Sequence, residues 1–410
     1  MRRARTVRRP RGRATHAAFT MTGSPHHQSG LRWTLVSGEY PGVAPCGGVG
    51  AYTAALAASL GACGDAVEVF SDGRHGALDP LLCGEVRALP GWGWRGLWRL
   101  HRSLRRRPPG VLVIEYVPHA FGWKAMNVAF AAWVRWLAPA PVWVMFHEVA
   151  YPQGARRWRH RCLAAVTRCM AKWVACGAER CFVSTPAWLD LLKEIASHLA
   201  VPVTLPIPSN VPLQMQPAAQ ELRAAAAPGA WLGHFGTYSA PVAEVLSAVL
   251  PRVLAEAPEC RVLLLGNGSR AFADSLQRAH PGLAGRIRAT GTLPGDALAA
   301  HLQATTVLLQ PFPDGVTTRR SSIMAGLGNG CAIVTSQGAL TEPLWSTSGA
   351  VRLALAGDVA AHTAAVLTLW RNPEAREALA RRAREFYEET FALEHTVNTL
   401  RQYASGALRC

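Results

Sequence analysis

The chain has 410 residues, and because a single hydrophobic core stops growing at roughly 250 to 300 residues, the length predicts two domains. Half of the residues are hydrophobic and 17% are charged, a composition typical of globular proteins that excludes disorder throughout. Lysine and arginine outnumber aspartate and glutamate by 43 to 26, and the resulting net charge of +17 indicates phosphate groups on a nucleotide, a nucleic acid or an anionic membrane.

The first thirty residues are dominated by arginine. Seven arginines lie in the first thirteen residues and no apolar segment follows them, so this segment does not resemble a signal peptide. We expect a disordered basic tail over residues 1–30. No later apolar run is long enough to span a membrane. The ten cysteines form no CxxC pair, which is typical of reducing compartments, and the sequence therefore predicts a cytoplasmic protein.

From residue 31 onward, short β-rich runs alternate with helical stretches, the pattern typical of parallel sheets with crossover helices. The first half contains a predicted helix over Ala51–Leu60 and five predicted strands, which are Leu31–Ser37, Ala66–Ser71, Val111–Val117, Val142–His147 and Arg180–Ser184. This pattern predicts a Rossmann-like N-terminal domain over residues 31–205. Five prolines between Val201 and Pro217 exclude a helix there and predict an interdomain linker.

A second alternation predicts a Rossmann-like C-terminal domain over residues 206–389. Its predicted strands are Trp231–Gly236, Arg261–Gly266, Arg286–Gly291, Thr306–Pro311, Ala332–Ser336 and Ala350–Leu355. The remaining chain is helical, and we expect a last helix at about residues 390–410 to pack back on the first domain. The fold class is therefore α/β, with two doubly wound domains that face a central cleft. Ligands of such sheets bind where the strands end, so we expect the active site in that cleft.

A glycine-rich turn precedes the first predicted helix. Backbone N–H groups exposed at the start of a helix suit a phosphate group or a closely approaching sugar, and this turn contains Gly47, Gly48, Val49 and Gly50. The dinucleotide fingerprint GxGxxG is absent. Asp72, after the second strand, is the only feature that favours NAD, and an NAD-dependent enzyme remains an alternative.

A second loop joins a buried strand to a helix and carries two adjacent arginines, Arg319 and Arg320. They are followed by two serines, Ser321 and Ser322, at the predicted start of the helix. Guanidinium groups beside free helix N–H groups suit a diphosphate, and each charge-assisted hydrogen bond contributes about 1.5 to 3 kcal/mol. This loop therefore predicts a diphosphate site.

Other catalytic signatures are absent or incomplete. His147 and Glu148 close a strand, but Tyr151 stands where the zinc motif HExxH requires its second histidine. No DxD, P-loop or GxSxG motif occurs, which argues against metal-chelating nucleotide-sugar enzymes, nucleoside triphosphatases and serine hydrolases. We therefore predict no metal site.

A basic amphipathic helix is predicted over Gly91–Arg107. Trp94, Leu97, Trp98 and Leu104 fall on one face and arginines fall on another, and a second arginine cluster surrounds Trp158 at residues 156–161. These clusters predict peripheral contact with an anionic membrane, at its inner face for a cytoplasmic protein; the alternative is a surface helix whose tryptophans pack inward. Without a recognised nucleic-acid-binding motif, we expect no nucleic-acid partner.

Five stretches of the chain resemble the GT-B glycosyltransferases of family 4, the type called glycosyl transferases group 1. The stretches are Gly47–Leu60, Glu115–Gly122, Phe146–Pro152, Leu205–Pro212 and Gly291–Gly338. The resemblance implies transfer of a sugar from a nucleotide diphosphate sugar with retention of configuration and without a required metal or other cofactor. It also implies that the donor binds to the C-terminal domain and that a carbohydrate or lipid-linked acceptor binds mainly to the N-terminal domain.

The resemblance also implies roles for individual residues. The expected donor-binding residues are Gly236, Thr237, Ser239, Asn267, Gly268, Pro311, Asp314, Gly315, Arg319, Arg320, Ser321 and Ser322. An acceptor or phosphate loop is expected from Gly47, Gly48, Val49, Gly50, Glu115, Tyr116 and His119. The expected catalytic residues are His147, Arg319 and Arg320.

Two departures from the family pattern matter. The glutamate pair found in many relatives is replaced by Thr317 and Ala325. The basic residues that often follow the first strand of the donor domain are also missing, and we hypothesise that Arg319 and Arg320 supply this charge from the opposite loop. The missing glutamates support one more alternative, a non-catalytic homologue that binds a nucleotide sugar or a glycan.

Overall fold

A computed structural model describes residues 30–42, 47–74, 76–81, 83–106, 110–152, 158–197, 201–226 and 229–406. The predicted basic tail, apart from Gly30, lies outside these residues. Two parallel sheets flanked by helices make up the described part of the chain. The prediction of two Rossmann-like α/β domains is thereby confirmed.

The N-terminal sheet has seven parallel strands in the order β3-β2-β1-β4-β5-β6-β7. They are β1 (Arg32–Ser37), β2 (Ala66–Asp72), β3 (Glu85–Leu89), β4 (Val111–Tyr116), β5 (Val142–Phe146), β6 (Arg180–Val183) and β7 (Val203–Thr204). Val36 of β1 lies opposite Phe70 on one side and Ile114 on the other, so the hydrophobic runs are in register. β2 and β3 lie on one side of β1, and β4 to β7 lie on the other. This reversal of the strand order opens a crevice beyond the ends of β1 and β4.

Helices cover both faces of this sheet. α1 (Gly48–Ala62) packs on one face, and the opposite face is covered by α2 (Trp94–Arg105), α3 (Val128–Trp136), α4 (Trp158–Gly177) and α5 (Pro186–Ile195). Two short 3-10 helices, Pro118–Phe121 and Trp123–Ala125, precede α3. Among the described helices, none is both long and apolar enough to cross a membrane.

The C-terminal sheet has six parallel strands in the order β10-β9-β8-β11-β12-β13. They are β8 (Ala230–Phe235), β9 (Cys260–Leu265), β10 (Ile287–Ala289), β11 (Val307–Gln310), β12 (Ile333–Gln337) and β13 (Arg352–Leu355). The corresponding crevice lies beyond the ends of β8 and β11. The helices are α6 (Ala218–Ala224), α7 (Ala240–Glu256), α8 (Ser269–Ala279), α9 (Gly295–Ala304), α10 (Ser321–Gly328), α11 (Pro343–Thr347), α12 (Val359–Arg371) and α13 (Pro373–Thr390), with a 3-10 helix at Pro281–Leu283.

The last helix, α14 (Leu393–Ala404), packs on the N-terminal domain beside α1. Val397 and Leu400 are buried in the core of that domain. Arg401 Nε lies 3.0 Å from an oxygen of the buried Asp65 carboxylate. The polypeptide therefore passes between the domains twice. The two passages are joined, because the Ser209 backbone N–H donates a hydrogen bond to the Tyr387 hydroxyl at 3.0 Å.

Candidate active site

Two neighbouring cavities open where the strands of the two sheets end. The C-domain cavity, of about 500 Å³, lies beyond β8, β9 and β11. The interdomain cavity, of about 330 Å³, lies between the glycine-rich turn before α1, the end of β5 and the start of α10. Three residues, Arg319, Arg320 and Ser321, line both cavities. The arginine pair therefore stands at the boundary between the two binding spaces.

Most of the predicted donor-binding residues line the C-domain cavity. They are Gly236, Thr237, Ser239, Asn267, Pro311, Arg319, Arg320, Ser321 and Ser322. Gly268 does not line it; this residue precedes α8 with a φ of +85°. The cavity is bordered by the N-terminus of α7, where Ser239 lies, and by that of α10, which follows Arg320. Free N–H groups at these two helix ends suit an anionic ligand.

Asp314 and Gly315, two further expected donor-binding residues, do not line the cavity. The Asp314 carboxylate pairs with the Arg320 guanidinium at 2.5 Å and lies 3.8 Å from that of Arg319. Gly315 has a φ of +96°, and a Cβ there would lie 2.6 Å from the backbone nitrogen of Gly338. Asp314 therefore positions the arginines, and Gly315 makes the turn that brings them to the cleft.

Each arginine of the pair also lies over an aromatic ring. The Arg320 guanidinium is 4.8 Å from the centre of the Phe312 ring, and that of Arg319 is 5.8 Å from the Trp188 ring of the other domain. Burial lowers the pKa of Arg320, and the neighbouring Arg319 lowers it further, whereas Asp314 raises it. In the described residues, Asp314 is the one carboxylate within ion-pair distance of the two guanidinium groups, and Glu148, which interacts with Arg319 from farther away, is itself paired with His119. The arginine pair therefore suits an anionic ligand.

Two buried hydrogen-bond acceptors border the C-domain cavity. His234 Nδ1 donates to the Leu309 carbonyl at 2.8 Å, and Gln310 Nε2 donates to the Phe235 carbonyl at 2.9 Å. Within the described residues, His234 Nε2 and Gln310 Oε1 have no hydrogen-bond partner. Because buried polar atoms are almost always paired, these two acceptors suit N–H or O–H groups of a ligand.

Burial also makes His234 a pH-dependent group. Burial lowers the pKa of His234 from 6.5 to about 4, although the hydrogen bond to the Leu309 carbonyl raises that pKa. The neutral ring therefore contributes stability that is complete above pH 6.5 and is lost as the pH falls towards 4. We expect the thermal unfolding temperature of the wild type to fall more steeply through this window than that of His234→Gln. Exposed His280, changed to Gln, is the control, and parallel profiles for wild type and His234→Gln would contradict the assignment.

The interdomain cavity contains a buried pair of titratable side chains. His147 Nε2 lies 2.7 Å from an oxygen of the Glu115 carboxylate, which is completely buried at the end of β4. The Tyr52 ring of α1 contacts the His147 ring edge-on at 4.9 Å between centres. His147 lines the cavity, whereas Glu115 does not. Glu115 was expected to face the cavity. In the structure it orients His147 instead.

The expected role of Tyr116 as an acceptor residue is wrong. Its side chain is completely buried, and its ring packs on Phe121 and Phe146 in the core. Successive side chains of a strand point to opposite faces, so Glu115 and Tyr116 cannot both point toward His147. Gly50 is likewise buried within α1 and does not line the cavity.

The other residues of the predicted acceptor loop lie at the cavity. Gly47, Gly48, Val49 and His119 line it. The Gly47 N–H donates to the Glu39 carboxylate at 3.1 Å, and a Cβ at position 47 would lie 2.2 Å from that carboxylate. A side chain at position 47 would therefore displace the Glu39 carboxylate from this hydrogen bond.

His119 faces a carboxylate across the cavity. His119 Nδ1 lies 3.6 Å from Glu148 Oε2, and this contact raises the pKa of His119 and lowers that of Glu148. Arg319 lowers the pKa of Glu148 further. The ionised Glu148 and the charged His119 are thus stabilised together at the entrance to the arginine pair.

Several site residues were not selected from the sequence. Glu39, Tyr52, Glu148, Ser184 and Asn210 line the interdomain cavity. Glu148 was noted as the neighbour of His147, and this adjacency is the signal that could have selected it. Glu39 and Tyr52 lie on either side of the glycine-rich turn, Ser184 follows β6 and Asn210 follows β7, and folding brings these segments to one cavity.

A hydrogen-bonded loop contact joins the domains beside the arginines. Thr318 Oγ1 lies 2.8 Å from Glu342 Oε1 and 3.2 Å from the Ser184 carbonyl of the N-terminal domain. Glu342 also accepts the Thr318 N–H at 3.0 Å. The two positions that lack the family glutamates, Thr317 and Ala325, are both buried, and neither lines the cavities.

The structure gives Asp72 a role other than NAD binding. The Asp72 carboxylate pairs with Arg74 at 2.6 Å and lines neither cavity. In the part of the chain that the structure describes, no three His, Cys, Asp or Glu side chains gather in a way that could hold a metal ion.

Comparisons with known proteins agree with this geometry. The family profile described as "Glycosyl transferase 4-like domain" matches residues 47–206, and that described as "Glycosyl transferases group 1" matches residues 230–372. No curated protein sequence gives a significant match.

Solved structures match over almost the whole chain. Anabaena HepE in complex with UDP and glucose is 15% identical with a TM-score of 0.65, over 92% of this chain and 100% of that one. Sucrose-phosphate synthase from Thermosynechococcus elongatus is 17% identical with a TM-score of 0.66, over 92% and 99%. A glycosyltransferase from Rickettsia africae is 11% identical with a TM-score of 0.66, over 92% and 98%. The chain is thus a glycosyltransferase of the GT-B fold, in which a glycosyl transferase 4-like domain is followed by a glycosyl transferases group 1 domain.

Proposed function

We propose that the protein transfers a sugar from a nucleoside diphosphate sugar in the C-domain cavity to a hydroxyl group of an acceptor in the interdomain cavity. The observation that carries this proposal is the position of Arg319, Arg320 and Ser321, which line both cavities. The diphosphate would lie against the arginines, and the sugar would lie between them and His147.

Charge development explains why the arginines would accelerate the reaction. As the bond between the sugar and the diphosphate breaks, negative charge grows on the leaving phosphate and positive charge grows on the sugar. Arg319, Arg320 and the N–H groups at the start of α10 are fixed before the reaction, so they would stabilise the transition state more than the bound donor.

Uridine diphosphate is the first nucleotide to test. His234 Nε2 and Gln310 Oε1 are buried acceptors that suit a uracil N–H or a ribose hydroxyl. The similar structure of Anabaena HepE was determined with UDP-glucose as well as with UDP.

Retention of configuration and independence from metal ions belong to the same proposal. The residues that line the C-domain cavity include no aspartate or glutamate. A metal ion held by carboxylates lacks its usual ligands there. The carboxylates of the interdomain cavity, where the sugar would lie, are already engaged, because Glu148 pairs with His119 and Glu39 accepts the Gly47 N–H. We propose that the leaving diphosphate accepts the proton of the incoming hydroxyl on the same face of the sugar.

His147 is proposed to hold the donor sugar or the acceptor. Its Nε2 is bonded to Glu115, and in the described residues its Nδ1 has no hydrogen-bond partner. The ring orientation is fixed by Glu115 and Tyr52, so Nδ1 is available to a hydroxyl group in the cavity.

Ligand-induced thermal stabilisation tests donor binding. The protein is heated with UDP, GDP or ADP and then with the corresponding sugar nucleotides. A ligand at about 100 times its Kd should stabilise the fold by about 2.7 kcal/mol. If the C-domain cavity is not a nucleotide site, UDP, GDP and ADP should all leave the unfolding temperature unchanged. Transfer or hydrolysis is then followed by release of the nucleoside diphosphate, with and without EDTA, and the anomeric configuration of the product is determined by proton NMR.

A non-catalytic homologue is the second candidate, and the absence of the glutamate pair at Thr317 and Ala325 favours it. Such a protein would be stabilised by a sugar nucleotide but would release no nucleoside diphosphate above background. Binding together with turnover supports the transferase, and binding without turnover on a broad acceptor panel supports the second candidate.

A further inference from the structure

Five tryptophans among the described residues are strongly exposed to solvent, and all five lie on the N-terminal domain. They are between 55% and 74% exposed and belong to α2, the 3-10 helix before α3, the end of α3 and the start of α4: Trp94, Trp98, Trp123, Trp136 and Trp158. The helices α2, α3 and α4 cover the same face of the sheet. We call the outer surface of these elements the tryptophan face.

Four of these tryptophans are paired with an arginine. The guanidinium carbon lies between 5.2 and 5.9 Å from the ring centre in the pairs Trp94–Arg95, Trp98–Arg102, Trp136–Arg135 and Trp158–Arg159. An indole ring beside a cation suits the boundary between lipid headgroups and acyl chains, where the ring is buried and the guanidinium meets phosphate.

The charge of the tryptophan face has one sign. Helices α2, α3 and α4 contain nine lysine and arginine residues and no aspartate or glutamate. Arg168 pairs with Glu194, and the other eight have no acidic partner within the described residues. In contrast, α13 of the C-terminal domain pairs Arg382 with Glu389 and Arg384 with Glu388. These three helices therefore differ from α13, which contains acidic residues beside its arginines.

The face also contains a basic depression. A cavity of about 610 Å³ between α2 and the edge strands is lined by Trp98, Arg99, Arg102 and Arg106, together with Arg87 of β3. Arg87 is neutralised by Glu68 and Glu85, but Arg99 and Arg102 of α2 and Arg106 at its C-cap have no acidic partner in the described part of the chain. Phosphate groups of lipid headgroups fit such a depression.

We propose that the tryptophan face docks the protein on a bilayer that contains anionic lipids. The tryptophan rings enter the interface, and the arginines of α2 and α4 bind headgroup phosphates. A second copy of the chain fits the face less well, because a two-fold interface places the same positive charges against each other. The alternative in which Trp94 and Trp98 pack inward does not hold, since both are exposed, whereas Leu97 and Leu100 pack inward.

Co-sedimentation with vesicles tests this proposal on the full chain. We expect binding to phosphatidylcholine vesicles that contain phosphatidylglycerol, weak binding to pure phosphatidylcholine, and loss of binding at high salt. The double variant Arg99→Glu/Arg102→Glu should bind at least about tenfold more weakly, since each arginine near an anionic surface contributes appreciably. Trp94→Ala/Trp98→Ala should weaken binding by about tenfold as well.

Matched variants on the other domain are the controls. Arg252→Glu/Arg278→Glu reverses two exposed charges of α7 and α8, and Leu355→Ala removes an exposed apolar side chain. These variants should bind vesicles like the wild type. Every variant should keep the wild-type unfolding temperature, which separates loss of docking from loss of folding.

Three results would overturn the proposal. The first is equal binding of the wild type to neutral and anionic vesicles, and the second is unchanged binding of the Arg99/Arg102 variant. The third is a dimer in solution that Trp94→Ala/Trp98→Ala converts to a monomer, because the face would then hold a second copy. None of these results depends on glycosyltransferase activity, so docking and the proposed function can fail separately.

Discussion

An Arg320→Ala variant is expected to lose a factor of about 10² to 10³ in kcat for sugar transfer, as when one preorganised donor to a developing negative charge is removed. Arg320 lies at the boundary of the two cavities and is fixed there by Asp314 and by the Phe312 ring. Initial rates over a range of donor concentrations measure kcat and KM separately. A larger effect on kcat than on KM would show that the guanidinium acts mainly in the transition state.

Two further variants sharpen this experiment. Arg278→Ala removes an arginine from an exposed position of α8 in the same domain and should leave the rate unchanged. Arg320→Lys keeps the charge but loses the planar fork of donors, so an intermediate rate is expected. A rate for Arg320→Ala within about twofold of the wild type, in a protein with normal thermal stability, would refute the role of Arg320.

Glu115→Ala is expected to lower the free energy of unfolding of the N-terminal domain by about 3 to 5 kcal/mol, the usual cost of removing one partner of a buried pair. The Glu115 carboxylate is completely buried and contacts His147 at 2.7 Å. Its removal leaves the His147 ring without its partner and opens a space at the end of β4. Urea unfolding of wild type and variant measures the difference.

The control is Glu85→Ala on β3, where the glutamate is exposed and its pair with Arg87 is solvated. That variant should lose less than about 1 kcal/mol, because exposed ion pairs contribute little. Glu115→Gln keeps the shape and a hydrogen-bond acceptor and should fall between the two. Equal losses for Glu115→Ala and Glu85→Ala would show that the buried pair does not support the domain.

The sequence pattern predicted most of the fold because buried parallel strands are continuous hydrophobic runs. Two strands were missed for physical reasons. β3 (Glu85–Leu89) lies at the edge of its sheet and contains charged residues, so it lacks an apolar run. β7 (Val203–Thr204) has two residues and adjoins a proline, inside the segment predicted to be a linker.

The site was predicted less completely than the fold. The arginine pair was recognisable because two adjacent cations at a helix start are an uncommon local pattern. Asp314 was predicted to bind the ligand. Its ion pair with Arg320 forms only in the folded chain and cannot be read from the sequence. Glu148 could have been selected as the neighbour of His147, but a single sequence contains no signal for its contact with His119 or for that of Glu39 with Gly47.

The return of α14 to the first domain has a mechanical consequence. The chain connects the two domains twice, and the hydrogen bond between Ser209 and Tyr387 holds the two connections side by side. Two adjacent connections form a hinge with one axis, whereas a single connection would be a flexible linker. Opening and closing about that axis is permitted, whereas twisting one lobe against the other would strain both crossings. The gap between His147 and Arg320 should therefore vary with one angle, so a single pair of spectroscopic labels across the cleft should suffice to follow the motion.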